Sequence, residues 1–211
     1  MMGGVGDVAG IKRGWLALPL AALLAACGSG VHYRPVSDAP VRIGQPYTVR
    51  GTTYVPAADP TYDMLGYASW YGPESGSQTA NGERFRPDWV TGANTTLPLP
   101  SYVEVTDLDT GKRIIVRIND RGPFARGRII DLSRGAAEQL GVRQRGVAPV
   151  RVRVVEPSAR DRARLREGKP ARPLPDERPA VLANLREQLA VGLQNQRVLA
   201  DRRDLTLTPA R

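Results

Sequence analysis

Two acidic residues that follow turns are the part of this sequence best suited to chemistry. Glu83 closes a Gly-containing turn, and Asp120 comes directly after a β-branched run and before Arg121 and a Gly-Pro pair. Paired carboxylates suit cleavage of a glycosidic bond, because one group protonates the leaving oxygen while the other acts as a base or balances charge. Asp120 also has a purely structural interpretation, in which it caps the turn or pairs with Arg121. Asp131 and Glu138 are weaker candidates, since one precedes a helix cap and the other lies on an outward helical position.

Other common catalytic designs lack their residues. The only histidine, His32, and the only cysteine, Cys27, lie near the N-terminus, far from any other group with which they could form a catalytic or zinc-binding set. The sequence also contains neither a Walker loop nor a dinucleotide-binding glycine fingerprint. We therefore predict carboxylate chemistry, or none, with no metal and no cofactor.

The elements around Asp120 can be predicted from local signals. The run 113–118 alternates and is rich in β-branched residues, which is typical of a half-buried strand. A shorter strand follows at 129–131. Ser133 is then a good N-cap for a helix over 134–140, and Gly141 is a good stop.

The rest of the central region predicts a mainly β domain. Many glycines and prolines and a low aromatic content of 6% indicate many turns around a small core. The long stretch 73–100 has few regular signals and is predicted to be a functional loop. Further predicted strands lie at 66–72, 102–106 and 150–155, and a hairpin-like arm turns at Gly51 within 44–56.

The N-terminal residues predict export and lipidation. Lys12 and Arg13 precede an apolar run that is too short to span a bilayer but suits a secretory signal peptide over residues 1–26. The run ends in Leu-Ala-Ala-Cys, which resembles the lipobox of bacterial lipoproteins, with Cys27 as the acylated residue that anchors the protein to a membrane. The formal net charge of +9 then points to acidic envelope polymers or lipid phosphates rather than to nucleic acid.

The flanking segments predict connectors and a helical tail. Residues 27–43 are polar and aperiodic, as expected of a tether, and residues 157–179 have the Pro/Arg-rich composition of a linker. Apolar residues then recur at helical spacing from about 180 to 200, inside a tail that reaches residue 211. We expect this helix either to dock on the domain 44–156 or to bind a partner.

Several motifs together resemble those of the rare lipoprotein A (RlpA) family. The resemblance covers about residues 44–155 in collinear order, and the lipobox agrees with it. It implies a six-stranded double-psi β-barrel, attachment to the outer membrane facing the periplasm, and endolytic lytic transglycosylase activity on peptidoglycan, often on peptide-poor strands. The motifs that carry it are GYASWYG at 66–72, TANGE at 79–83, TLP at 96–98, VRINDRGPF at 116–124 and RIIDLS at 128–133.

The resemblance also implies roles for individual residues. Asp120 would be the acid/base group and Glu83 its partner carboxylate in the groove. Asn94 stands where the family usually has an active-site histidine, and asparagine cannot transfer a proton although it can hydrogen-bond a sugar. The C-terminal SPOR module that many members carry is not predicted here. The residues expected to hold the sugar are Asn94, Tyr71, Arg121 and Asn119.

Three functional interpretations follow from these residues. The leading one is a lipid-anchored enzyme that cleaves glycan strands in cell-wall remodelling or daughter-cell separation. The second is a glycan-binding lipoprotein with little or no activity, because Asn94 replaces the histidine. The third is a structural lipoprotein that acts through its C-terminal helix.

Overall fold

A computed structural model describes residues 32–72 and 76–207 of the chain, with side chains to residue 195. The predicted signal peptide 1–26 and the predicted lipidation site Cys27 lie outside the described residues. No helix in the described ranges combines the length and the apolar character that a transmembrane span requires.

Six of the described strands form a closed barrel, which confirms the mainly β, double-psi barrel class expected from the sequence. The strands are β1 (Tyr47–Val49), β2 (Thr52–Tyr54), β3 (Asp63–Tyr71), β4 (Thr91–Ala93), β5 (Ser101–Asp107), β6 (Arg113–Asp120), β7 (Arg128–Ser133) and β8 (Ala148–Val154). The order around the barrel is β3-β7-β4-β6-β5-β8, with β3/β7 and β4/β6 parallel and the other neighbours antiparallel.

The barrel interior is filled by the branched aliphatic side chains that alternate along its strands. Burying such side chains is the dominant favourable contribution to folding, at about 25 cal/mol per Å² of apolar surface. In β6 the alternation is incomplete, because polar residues between the aliphatic ones are also buried. The fully buried members include Val103, Val105, Val116, Ile118, Ile130, Leu132, Val150 and Val152.

Helix α1 (Arg134–Leu140) follows β7 directly, as predicted. The Ser133 hydroxyl accepts a hydrogen bond from the backbone N–H of Ala136 at 3.1 Å, which satisfies one of the free donors of the first turn. Gly141 ends the helix in the left-handed conformation, at φ 85°. The predicted strands are also present, with ends that differ from the predicted bounds by at most three residues.

Strand β4 was not predicted from the sequence. It has only three residues, Thr91–Ala93, all buried, and lies within the stretch expected to be a long loop. Such a short strand has no alternation to detect, and its neighbours in the sheet are distant in sequence. The expected long loop is therefore interrupted by a barrel strand.

The predicted linker 157–179 contains a helix, α2 (Ala159–Arg166), which packs on the barrel. Leu165 is fully buried in the main core, and Ala171 beyond the helix is also buried there. The linker prediction was wrong for this part, because the many arginines obscured Leu165, the one buried apolar residue of the helix.

Part of the predicted tether is also docked on the barrel. Arg34 and Arg42 make backbone hydrogen bonds with Gly82 and Leu99. Between them, Asp38 accepts a hydrogen bond from the Tyr102 hydroxyl at 2.7 Å. Residues 34–43 are therefore a strap across the barrel, not a free tether.

The tail forms helix α3 (Pro179–Leu207), longer than the predicted 180–200. Its Leu182, Leu185 and Leu189 are buried against Leu108 in a second apolar cluster. Of the two roles expected for the tail, docking on the barrel is the one observed.

The arm predicted at 44–56 is the hairpin β1-β2, which turns at Arg50 and Gly51. The Tyr47 and Tyr54 rings stack at 5.3 Å, and both contact Phe124 in the loop after β6. The hairpin therefore packs outside the barrel, against the loop that follows Asp120.

Candidate active site

Strand β4 brings two acidic residues to one end of the barrel. Ala93, its last residue, pairs with Asp120 on β6 at one side and with Asp131 on β7 at the other. Neighbouring strands lie about 4.8 Å apart, so the two aspartate backbones are separated by about 10 Å. Only the small alanine side chain stands between them, which leaves room for a ligand.

A cavity of about 360 Å³ lies above Ala93. It is open to solvent and combines acidic, basic and aromatic groups, as expected of a site for a polar ligand. Its lining residues are Arg50, Tyr71, Gln78, Ala93, Asp120, Arg121, Gly122, Pro123, Phe124, Ala125, Arg128 and Asp131.

Asp120 is held by backbone hydrogen bonds on one of its two oxygens. Its Oδ1 accepts from the N–H of Ala80 and from the N–H of Arg121, each at 2.8 Å. Burial raises the pKa of Asp120 above its ordinary value of 3.8, and these hydrogen bonds with the charge of Arg121 offset only part of the rise. The carboxyl is therefore rigidly placed and takes up a proton more readily than an exposed aspartate.

Asp131 is the second carboxyl of the cavity, although the sequence made it a weaker candidate. Burial raises its pKa above 3.8, and the charge of Arg128, at 3.3 Å from Oδ2, reduces the rise. Its Oδ1 is buried and has no hydrogen-bond partner among the described residues. A buried acceptor without a partner is rare in proteins, so this carboxyl is not fully satisfied by its own fold.

Tyr71 contributes a neutral phenol to the cavity. Burial raises its pKa well above 10, and the nearby charges of Asp120 and Asp131 raise it further, so the hydroxyl keeps its proton. The hydroxyl is buried and makes no hydrogen bond of good geometry within the described ranges, although the side chain of Thr91 lies close enough to lower the pKa slightly. Its ring stacks on Phe85, with centroids 5.1 Å apart. Tyr71 is thus a fixed hydrogen-bond donor beside the two carboxyls.

Glu83, the predicted partner carboxylate, does not line this cavity. It is 1% exposed and forms a double hydrogen bond with Arg117, at 2.7 and 2.8 Å. Asn81 and Asn119 each donate a further hydrogen bond to it at 2.9 Å. Both oxygens of the Glu83 carboxylate are therefore fully hydrogen-bonded within the protein. Sequence spacing alone could not show this.

Of the other predicted sugar-binding residues, Asn119 lies outside the cavity lining and Arg121 lies within it. Asn119 belongs to the Glu83 cluster and is absent from the cavity lining. Arg121 lines the cavity, but its guanidinium donates to the carbonyl oxygens of Ile43, Asn94 and Leu97. It therefore ties loops together beside the site.

The side chain of Asn94 is buried away from the cavity lining. Its amide nitrogen donates to the Tyr62 hydroxyl and to the carbonyl of Ile129, both at 3.1 Å. Its oxygen accepts from the N–H groups of Thr96 and Leu97 at 2.9 Å. In this protein the residue at the expected histidine position fixes a turn next to the site.

Residues 63–152 match a family described as lytic transglycolase, which covers the six barrel strands apart from the last residues of β8. A protein of Pseudomonas aeruginosa (strain UCBPP-PA14), named endolytic peptidoglycan transglycosylase RlpA, is 54% identical over 114 residues. The barrel domain is similar in sequence to RlpA proteins. RlpA proteins of Campylobacter jejuni and Rickettsia felis are 47% and 43% identical over 115 residues.

The shared region is a part of each RlpA protein. It covers 53% of this chain in all three comparisons, and 33%, 41% and 50% of the Pseudomonas, Campylobacter and Rickettsia proteins. This chain thus spans a third to a half of the length of the relatives it matches.

Among solved structures, a Streptomyces papain inhibitor aligns with a TM-score of 0.40 and 23% identity, over 47% of this chain and 100% of the inhibitor. An expansin of Clavibacter michiganensis aligns with a TM-score of 0.37 and 18% identity, over 46% of this chain and 52% of the expansin.

Proposed function

We propose that this protein is an endolytic lytic transglycosylase that cleaves the glycan strands of peptidoglycan and leaves 1,6-anhydro-muramyl ends. The pairing of Ala93 with both Asp120 and Asp131 carries the proposal, because it places two carboxyls of raised pKa on either side of one open cavity. Relatives that share this barrel are named for the same reaction.

For this reaction the protein must supply a proton donor and a negatively charged group. In its protonated form Asp120 gives its proton to the glycosidic oxygen as the bond to the anomeric carbon breaks, and positive charge develops on the sugar ring. Asp131, which Arg128 favours in its ionised form, faces that charge and stabilises it. The muramyl 6-hydroxyl then attacks its own anomeric carbon and returns its proton to Asp120, so that no water is consumed.

The remaining lining residues serve to hold the strand. The rings of Tyr71 and Phe124 line the cavity and offer apolar edges to the sugar rings. Glu83 acts at a distance: its hydrogen bond from Asn81 fixes the turn whose Ala80 N–H holds Asp120. Glu83 is therefore a positioning residue.

We also propose that the protein is a lipoprotein of the cell envelope, anchored through Cys27 and facing the periplasm from the outer membrane. The lipobox sequence and the similarity of the barrel to proteins named peptidoglycan transglycosylases support this location. Peptide-poor strands suit the cavity, since it has room for sugar rings between arginine side chains. Daughter-cell separation or wall remodelling is the process that such cleavage would serve.

The alternative function, glycan binding with weak or no cleavage, depends on the missing histidine. A buried, fully hydrogen-bonded Asn94 outside the cavity lining gives it little support, because a proton carrier at that position would not reach the cavity in this arrangement.

The test incubates the full chain, purified in detergent, with purified sacculi and with peptide-free glycan strands, followed by mass spectrometry of the released sugars. We expect 1,6-anhydro products from the wild type and a loss on the order of 10²- to 10⁴-fold in Asp120→Asn. Asp176→Asn makes the same chemical change at an exposed residue outside the cavity and should release wild-type amounts. Binding without products would favour the alternative function, and undiminished release by Asp120→Asn would refute the role of Asp120.

A further inference from the structure

The tip of the β1-β2 hairpin carries an arginine in an unusual backbone conformation. Arg50 has φ 49° and Gly51 has φ 79°, so both residues of the two-residue turn lie in the left-handed region. Asn-Gly is the preferred pair for such a turn, because a long side chain is disfavoured at positive φ. Of the non-glycine residues in the described ranges, Arg50 is the only one with this conformation. A residue that the turn disfavours is therefore kept at the tip.

The hairpin holds this arginine against the candidate active site. Tyr47 and Tyr54 pack on Phe124, which lines the cavity, and the Tyr47 hydroxyl donates to the Thr95 carbonyl at 2.8 Å. Arg50 itself lines the cavity, 70 positions before Asp120 in the sequence. The hairpin thus forms one wall of the site, and it precedes the segment 63–152 that matches the lytic transglycolase family.

The three arginines of the cavity differ in what their charged groups already contact. The guanidinium of Arg121 is used on three backbone carbonyls, and Arg128 forms an ion pair with Asp131. Arg50 is exposed and has neither a hydrogen bond nor an ion pair with any residue that the structure describes. Of the three guanidinium groups that line the cavity, the one of Arg50 is therefore available to bind a ligand.

We propose that Arg50 binds a carboxylate on a sugar of the bound strand, and so makes the cavity select acidic glycans over neutral ones. This inference rests on the proposed function and assigns its charge specificity to the hairpin. A guanidinium is planar and carries paired donors that match a carboxylate, whereas a neutral hydroxyl uses only one of them. In peptidoglycan, the muramyl residue exposes such a carboxylate once its peptide has been removed.

The test compares an acidic glycan with a neutral one. Peptide-free glycan strands carry the carboxylate, and chitohexaose has related N-acetylglucosamine rings without it. We would measure both dissociation constants by calorimetry at pH 7 and low salt, with the full chain in detergent. Every protein carries Asp120→Asn, so that the strands are not cleaved, and residue 50 is the wild-type arginine, Arg50→Asn or Arg50→Lys. Arg160→Asn removes the same charge from an exposed position outside the cavity and is the matched control.

We expect Arg50→Asn to weaken binding of the acidic strands by about 10- to 100-fold, the usual effect of losing a hydrogen bond to a charged group. Binding of chitohexaose should hardly change, Arg50→Lys should recover part of the loss, and Arg160→Asn should match the wild type. The melting temperature of Arg50→Asn should be equal or higher, since asparagine fits the turn better. A merely structural Arg50 would instead lower the melting temperature.

Two outcomes would overturn the inference. One is equal binding of acidic strands by the wild type and Arg50→Asn, and the other is an equal loss for both sugars. Either result leaves the proposed cleavage intact if 1,6-anhydro products still appear and depend on Asp120. Conversely, charge-selective binding through Arg50 without any product would refute the cleavage and leave this inference standing.

Discussion

The carboxylate of Glu83 accepts hydrogen bonds from both terminal nitrogens of Arg117 in the barrel interior, where the two side chains are 2% and 1% exposed. Breaking a buried pair of this kind leaves an uncompensated charge, which costs much more than the net contribution of the intact pair. The pair fixes the turn that holds Asp120, so stability and site geometry depend on the same contact.

We predict that Glu83→Ala lowers the free energy of unfolding by about 3–5 kcal/mol, because Arg117 is left buried without its partner. Urea titration followed by circular dichroism would measure this. Glu187→Ala, on the exposed face of α3, should change stability by less than about 0.5 kcal/mol. A Glu83→Ala protein that keeps its stability but loses cleavage would instead place Glu83 in the chemistry.

The raised pKa of Asp120 makes a prediction about stability and pH. Between the ordinary pKa of 3.8 and its higher value in the fold, the folded protein binds more protons at this group than the unfolded chain does. The contribution of Asp120 is therefore fully present below pH 3.8 and is lost as the pH rises through the folded pKa. The melting temperature would be measured from pH 3 to pH 7 for the wild type and for Asp120→Asn. We expect the decrease caused by the rise in pH to be smaller in Asp120→Asn than in the wild type. A larger loss would mean that the carboxylate is stabilised in the fold.

Arg128 sets the low-pH limit of activity in the proposed mechanism. Burial raises the pKa of Asp131 and Arg128 opposes it, so Arg128→Gln should raise that pKa further. Asp131 must be ionised to stabilise positive charge, and the acidic limb of the pH–rate profile should move to higher pH while the basic limb stays. Arg126→Gln, an exposed neighbour outside the cavity lining, is the control. An unmoved acidic limb would exclude Asp131 from this role.

Restoring the histidine that the family usually has at position 94 should not improve this protein. Asn94 is 1% exposed and makes four hydrogen bonds, which a larger imidazole ring cannot reproduce. Asn94→His should lower the free energy of unfolding by about 2–3 kcal/mol and leave cleavage no faster. The measurements are urea titration and product release. Faster cleavage at unchanged stability would show that residue 94 reaches the substrate.

The small side chain of Ala93 keeps the floor of the cavity open. Ala93→Val should leave β4 in place, since valine favours strands, but should weaken glycan binding on the order of tenfold by filling the space between the two aspartates. Calorimetry with peptide-free strands tests this, and Ala93→Gly, which keeps the space, should bind as the wild type does. Equal binding by Ala93→Val would show that the sugar does not enter between Asp120 and Asp131.

Features set by neighbouring residues were predictable from the sequence. The Ser133 cap, the Gly141 stop and the turn at Gly51 depend on contacts a few positions apart, and each is found where it was expected. Asp120 also lies in the site, because a strand that ends in a polar turn presents its last residue at the rim of the barrel.

Features set by distant residues were not predictable. A carboxylate in a turn gives no sign that Arg117, 34 positions later, will occupy it, so Glu83 was placed in the groove. Asp131 was undervalued because its importance comes from β4, a three-residue strand with no sequence signal. One signal was available: Ile130 and Leu132 are core residues, so Asp131 between them had to face the other way.

The strap 34–43 changes where this domain should be considered to begin and end. Asp38 forms ion pairs with Arg117 beneath the site and with Arg166 of α2, and so joins the strap and helix α2 to the barrel. The segment 63–152 that matches the family is therefore narrower than the part of the chain that packs together around the barrel. Truncation at the homology boundaries would remove Asp38 and Leu165 at once, and would expose a barrel whose central arginine and core had each lost a partner.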